Sequence, residues 1–171
     1  FLLFVFYEIA IIPKYFLIAL WGSTRKSYAA MKLVLYSFVG SSMALIGIMA
    51  AFVVSGSVSF DLQQLILHPY APEFQRWAFP VTFIGFVILA GLWPFHTWAP
   101  TGHVAAPTGA SMLLAGVVMK LGAYGALRVP MTLFPMGASI WREEIALLAA
   151  IGIVAGALVA LVQNDFKFIY F

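Results

Sequence analysis

Five long apolar runs divide the chain, over residues 1–21, 28–55, 76–93, 104–127 and 145–162, with short polar connections between them. A helix needs roughly 20 mostly apolar residues to cross the hydrocarbon of a bilayer, so each run predicts a spanning helix. None alternates as a barrel strand would, and in lipid only helices or closed barrels satisfy every backbone group. The expected fold is an all-α, polytopic transmembrane bundle of about five spans, with residues 1–171 forming a single transmembrane domain.

The connections are WGSTRKS at 21–27, a longer polar segment at 56–75, WPFHTWAPTGHVAAP at 93–107 and VPMTLFPMGASIWREE at 129–144. The third is unusual: Pro94, Pro100 and Pro107 break the backbone between two apolar runs, and His96 and His103 add polarity. Trp21, Trp77, Trp93 and Trp141 fall at span ends, where interfacial aromatics belong. Gly40 with Ala44, and Gly152 with Gly156 and Ala160, repeat at the four-residue spacing that lets helices approach closely. Arg25, Lys26 and Lys167 on one side face Arg76, Arg128 and Arg142 on the other, a near tie that places the 21–27 side inward by a narrow margin.

Composition agrees with the hydropathy pattern. Hydrophobic residues make up 64% of the 171 and charged residues 9%, against about a quarter charged in soluble domains. The net charge of +3 forms no basic stripe, so nucleic acid is excluded as a partner and the lipid bilayer is the surrounding phase. With no cysteine, the chain holds no disulfide, no thiolate-bound zinc and no cysteine-ligated iron–sulfur cluster. Nor does it carry a Walker A or dinucleotide-binding glycine pattern. Both ends read as cut, so the chain reads as a piece of a longer protein.

Against this background four ionisable residues stand out within or near the spans: Glu8, Lys14, Lys32 and Lys120. A charge at the bilayer centre costs about 2.5–3.5 kcal/mol even on lenient scales, so such residues face a bundle interior or a wet cavity and have a task. Lys120 lies well inside its span, with Gly116 and Tyr124 one turn away on the same face. Glu8 has too short a side chain to snorkel. Lys14 follows Pro13 and sits about 120° around the helix and about 9 Å along it from Glu8, so the two are not a within-helix ion pair. For Lys14 and Lys32, function and snorkelling weigh equally. His96 and His103 read as polar groups at the mouth of the break; a metal or haem site would need a third ligand, and none lies nearby. Together these residues suggest a proton relay, since a carboxylate about 4 Å from an ammonium stabilises it by about 4 kcal/mol at an effective dielectric of about 20.

The segments FYEIAIIPKYFLIALWG, YAAMKLVLYSFVGS, WPFHTWAPTGHVAAPTGASMLLAGVVMKLGAYGALRV and ALVALVQNDFK resemble the antiporter-like membrane subunits of respiratory complex I, an NADH:quinone oxidoreductase. The likeness runs along nearly the whole chain, and AGVVMKLGAYG favours subunit M, chain 4 in mitochondria, over its sisters L and N. The resemblance implies the central helices of a protein of about fourteen, built from inverted repeats, with a discontinuous helix around residues 91–103. It also implies a proton-translocating, non-redox subunit in which Glu8 and Lys120 belong to the channel. FMN and iron–sulfur clusters would then reside in partner subunits, quinone would be the substrate of the whole, and sister antiporter-like subunits would be neighbours. One position departs: the family's lysine before the PFHTW-like stretch falls here on Leu89, and Lys14 is the expected stand-in. A bacterial plasma membrane is the expected location, with a mitochondrial inner or thylakoid membrane as alternatives. Two other readings stay open, a subunit of an Mrp-type cation/proton antiporter and a purely structural membrane subunit.

Overall fold

A computed structural model describes residues 2–163, so Lys167 lies outside the described residues. The first span is built of α1 (Leu2–Ile9) and α2 (Ile11–Trp21), and the second of α3 (Lys26–Ser55). A short helix, α4 (Leu62–Ile66), interrupts the following connection. The third span starts with α5 (Pro72–Ala90) and, after a break and a 3-10 turn at Phe95–Thr97, resumes as α6 (Trp98–Ala105). The fourth runs through α7 (Thr108–Leu113), a π-turn at Leu114–Val118 and α8 (Met119–Arg128). Two short helices, α9 (Pro130–Leu133) and α10 (Pro135–Ile140), lead to the fifth span, α11 (Arg142–Val162). Five helical stretches among the described residues are long and apolar enough to cross a membrane, as the apolar runs predict.

The third span differs from the expected residues 76–93. It reaches Ala105, because Pro100 is the third residue of α6, in a first turn whose N–H groups need no helical partner. What ends α6 is Pro107: the residue before a proline is pushed to extended geometry, and Ala106 sits at ψ 145°. Trp93 consequently lies at a break inside the third span, half-buried, and not at a span end.

Glycine sets the layering. A Cβ on Gly85 would lie 2.5 Å from Ala44 N and 2.6 Å from Gly40 O, so the second and third spans meet backbone to backbone. A Cβ on Gly122 would lie 2.6 Å from Ala90 N and 2.7 Å from the Leu89 carbonyl carbon, and one on Gly125 would lie 2.5 Å from the Phe86 ring. The third span is thus wedged between the second and the fourth, and its residues Gly85–Ala90 are all buried. Gly40 and Ala44 work as the four-residue spacing predicts. On α11, which has no buried residue, Gly152 stands 3.2 Å from Trp93 Cβ by the same construction, while Gly156 has nothing within 4 Å.

The ends of the bundle are tied by polar contacts. On one side Ser23 N–H donates to Ala105 O (2.8 Å), and the Lys26 ammonium caps the C-terminus of α2 by donating to Leu20 O (2.9 Å). On the other, the buried Gln75 amide donates to Tyr70 O (2.9 Å), and its oxygen accepts from the backbone N–H groups of Met136 (3.0 Å) and Gly137 (3.3 Å). These contacts set the second and fourth connections on one side of the bundle.

Because the added methyl of Gly122→Ala would press on rigid backbone, that variant should lose about 1–3 kcal/mol of stability. Gly109→Ala, which meets nothing within 4 Å, should lose none. Thermal denaturation of the detergent-purified protein measures both.

Candidate functional site

Pro13 has no N–H to offer the carbonyl of Ile9, and the helix of the first span is interrupted at Ala10 for that reason. The helix resumes at Ile11, and Lys14 lies in the first turn of α2. It is seven residues, about two turns, from Tyr7, which returns it to the same face. Helical side chains lean toward the N-terminus, so the Lys14 stem runs back over α1 and sets its ammonium 4.5 Å from the centre of the Tyr7 ring. Both residues are buried, Lys14 at 9% exposure and Tyr7 at 7%. The Lys14 ammonium, the Tyr7 hydroxyl and one carboxylate oxygen of Glu8 are all enclosed without a hydrogen-bond partner. Glu8 acts on Lys14 through space, and no ion pair within 4.0 Å joins them, in keeping with their different helix faces. Lys14, Leu17 and Ile18 line one wall of a cavity of about 30 Å³; Ala110, Leu113, Leu114 and Val118 of the fourth span line the other.

The break in the third span lies next to this region. Gly91 adopts φ 71°, a left-handed conformation open to glycine. Its N–H donates to Ile88 O and that of Leu92 to Val87 O (both 3.1 Å), the paired bonds of a Schellman helix end. Ile88 O also accepts from the indole N–H of the fully buried Trp98 (3.0 Å). Pro94 follows a cis peptide bond from Trp93. Across the turn, the Tyr36 and Thr97 hydroxyls share a hydrogen bond of 3.0 Å. His96 is half-buried in the 3-10 turn, with its Nδ1 enclosed and unbonded. His103 is wholly buried near the end of α6, and its Nδ1 lies 3.0 Å from Ser111 Oγ of α7. Among the described residues no group of three His, Cys, Asp or Glu could hold a metal ion.

On the fourth span Pro107 opens α7, and the π-turn swells the helix where it faces the Lys14 cavity. Met119, Gly122 and Gly125 turn toward the third span; a Cβ on Gly91 would meet the Met119 methyl at 2.9 Å. Lys120 therefore points the opposite way. It is exposed, as are Gly116 and Tyr124 one turn to either side, so the three share a face as the spacing predicts, but that face turns outward from the described bundle. Lys32 is half-buried near the start of α3, its ammonium 5.9 Å from the ring centre of Tyr28, one turn back.

Residues 1–169 match the family described as NADH:quinone oxidoreductase/Mrp antiporter, transmembrane. The chain belongs to this family. Similar relatives include NADH-quinone oxidoreductase subunit M of Rhodobacter capsulatus, 36% identical over 97% of this chain and 35% of that protein. Subunit M of Rickettsia prowazekii is 39% identical over 97% and 34%. Among solved structures, respiratory complex I from Thermus thermophilus with bound NADH matches with a TM-score of 0.89 at 32% identity, over 97% of this chain and 36% of the matched one. An archaeal membrane-bound sulfane sulfur reductase matches at 0.86 and 27%, over 98% and 34%. The chain thus spans about a third of the length of these relatives.

Within this antiporter-type fold, Leu89 is buried at 2% exposure in a cluster with Tyr7, Phe86, Ala44, Ile48 and Ala126. The position where the resemblance implies a lysine is apolar, and the same cluster holds the ring on which Lys14 rests. Tyr7 was not picked out by the sequence reading; its seven-residue spacing to Lys14 was the available signal.

Trp98→Phe keeps an aromatic ring but leaves a carbonyl of the helix end without its indole donor. It should destabilise the protein by about 1–3 kcal/mol, read as an earlier midpoint in a denaturing-detergent titration.

Proposed function

We propose that the chain is part of a proton-translocating, non-redox membrane subunit of an NADH:quinone oxidoreductase-type assembly, and that residues 1–171 act as one transmembrane unit within it. The observation that carries this reading is the pair of ionisable groups enclosed in the first span, Glu8 and Lys14, neither with a hydrogen-bond partner for the buried atom. Ionisable groups at such depth are costly and are retained for ion movement. Membership of the family and the similarity to subunit M of Rhodobacter and Rickettsia support the same reading. Glu8 serves as the modulating carboxylate, Lys14 as the ammonium in place of the lysine missing at Leu89, and Lys120 as the main relay. His96 and His103 lie at the break as further relays, and Lys32 lies near the entry to the second span.

Lys120 fits this role through its exposure. An ammonium facing lipid at mid-span would cost about 2.5–3.5 kcal/mol, so the Gly116–Lys120–Tyr124 face is covered by further protein in the membrane. The additional length of the relatives can supply that cover, with sister membrane subunits beyond it. The energy comes from electron transfer in partner subunits that hold FMN and iron–sulfur clusters, with quinone as substrate, in a bacterial plasma membrane. The family description also admits a second reading, an Mrp-type antiporter subunit, in which cation exchange takes the place of the redox drive.

The test is electron-transfer-driven proton uptake by inverted vesicles carrying Lys120→Ala in the full-length subunit, compared with wild type at equal complex content. Loss of most of the uptake, with the complex assembled, is expected. Unchanged uptake would make Lys120 a structural lysine, and sodium-dependent uptake without quinone reduction would favour the antiporter.

A further inference from the structure

We propose that Tyr7 is a positioning residue for the Lys14 ammonium, holding it by the face of its ring at the wall of the cavity between the first and fourth spans. The inference rests on the reading of Lys14 as a proton carrier and names what keeps that carrier in place.

Lys14 has stem enough to snorkel, yet its amine turns back into the bundle and lies 4.5 Å from the centre of the Tyr7 ring, inside the roughly 6 Å within which a ring quadrupole attracts a cation. Both groups are buried, and desolvation strengthens this attraction. No acceptor bonds the ammonium, and no carboxylate lies within 4.0 Å. Glu8 acts on it from a distance, and the fourth-span wall of the cavity, Ala110, Leu113, Leu114 and Val118, brings no titratable group. The ring face thus meets the charge where no hydrogen bond or ion pair does. The ring itself cannot wander, because Tyr7 packs into the cluster of Phe86 and Leu89 on the third span and Ala44 on the second. Its hydroxyl is enclosed and bonds nothing, so the face and not the hydroxyl is the working part. The resulting seat is sturdy enough to keep the amine beside the cavity and soft enough, lacking a contacting carboxylate, to let a proton leave.

Four variants of the full-length subunit in the assembled complex test this: Tyr7→Phe, Tyr7→Leu, Lys14→Met and the double Tyr7→Leu/Lys14→Met, each scored as protons moved per electron transferred to quinone. Lys14→Met and Tyr7→Leu should each lower the ratio several-fold, Tyr7→Phe should match wild type, and the double variant should be no worse than Lys14→Met. If Tyr7→Leu lowers the ratio further in the Lys14→Met background, the ring acts by packing and the inference is overturned. It is equally overturned, with Lys14 still a carrier, if Tyr7→Leu pumps as wild type or Tyr7→Phe fails while Lys14→Met loses pumping. Wild-type pumping by Lys14→Met would sink the carrier reading and the seat together. Should Lys14→Met abolish pumping outright, the contrast between Tyr7→Phe and Tyr7→Leu decides.

Discussion

A carbonyl freed inside a membrane has no water to turn to, and much of this structure follows from how the third span answers that constraint. Pro80, in the interior of α5, cannot donate to Arg76 O; the indole of Trp141 does so instead, at 2.9 Å. Fifteen positions along from Arg76, Gly91 ends the helix, and the indole of Trp98 serves Ile88 O, three residues before it. Each tryptophan comes from outside α5, so the interruption at 91–94 leans on α6 folded against it, and the carbonyl left by Pro80 leans on the segment before α11. The break is a tertiary structure in its own right. Around it the second and fourth spans close in on glycine, sealing the backbone from lipid and bringing the first span near enough for Tyr7, Lys14 and Leu114 to share one region.

The spans and the break were legible because they depend on short-range properties: run length, proline position and the near absence of charge. Gly40 and Ala44 were legible too, as an i,i+4 pair. Gly85 and Gly122 were not, although they make the closest approaches, because a lone glycine in an apolar run carries no spacing signal. Pro100 misled in the other direction. As part of a proline-rich stretch it reads as a terminator, whereas its place in a first turn makes it harmless.

The site was legible as a list of residues but not as an arrangement. Charges in apolar runs identify themselves, so Glu8, Lys14 and Lys120 stood out, but helices apolar on all sides give no hint of which face a charge occupies. That is why Lys120, well inside its span by position, turns away from the bundle. Tyr7 escaped for a related reason, since one tyrosine among many aromatics gains meaning only when an ammonium is found on its ring.

The glycine contacts also bear on how such a protein can move. With Gly40 on Gly85, Thr82 against Gly47, and Gly122 on Ala90, the second, third and fourth spans touch at main-chain distance over several turns. A rocking-bundle motion, in which one helix tilts to open access from alternate sides, would have to pull main chains apart. The three spans instead form a slab, and any rearrangement within it would be left to light parts: rotamers of long side chains and the π-turn at Leu114–Val118, where the helix already departs from regular winding.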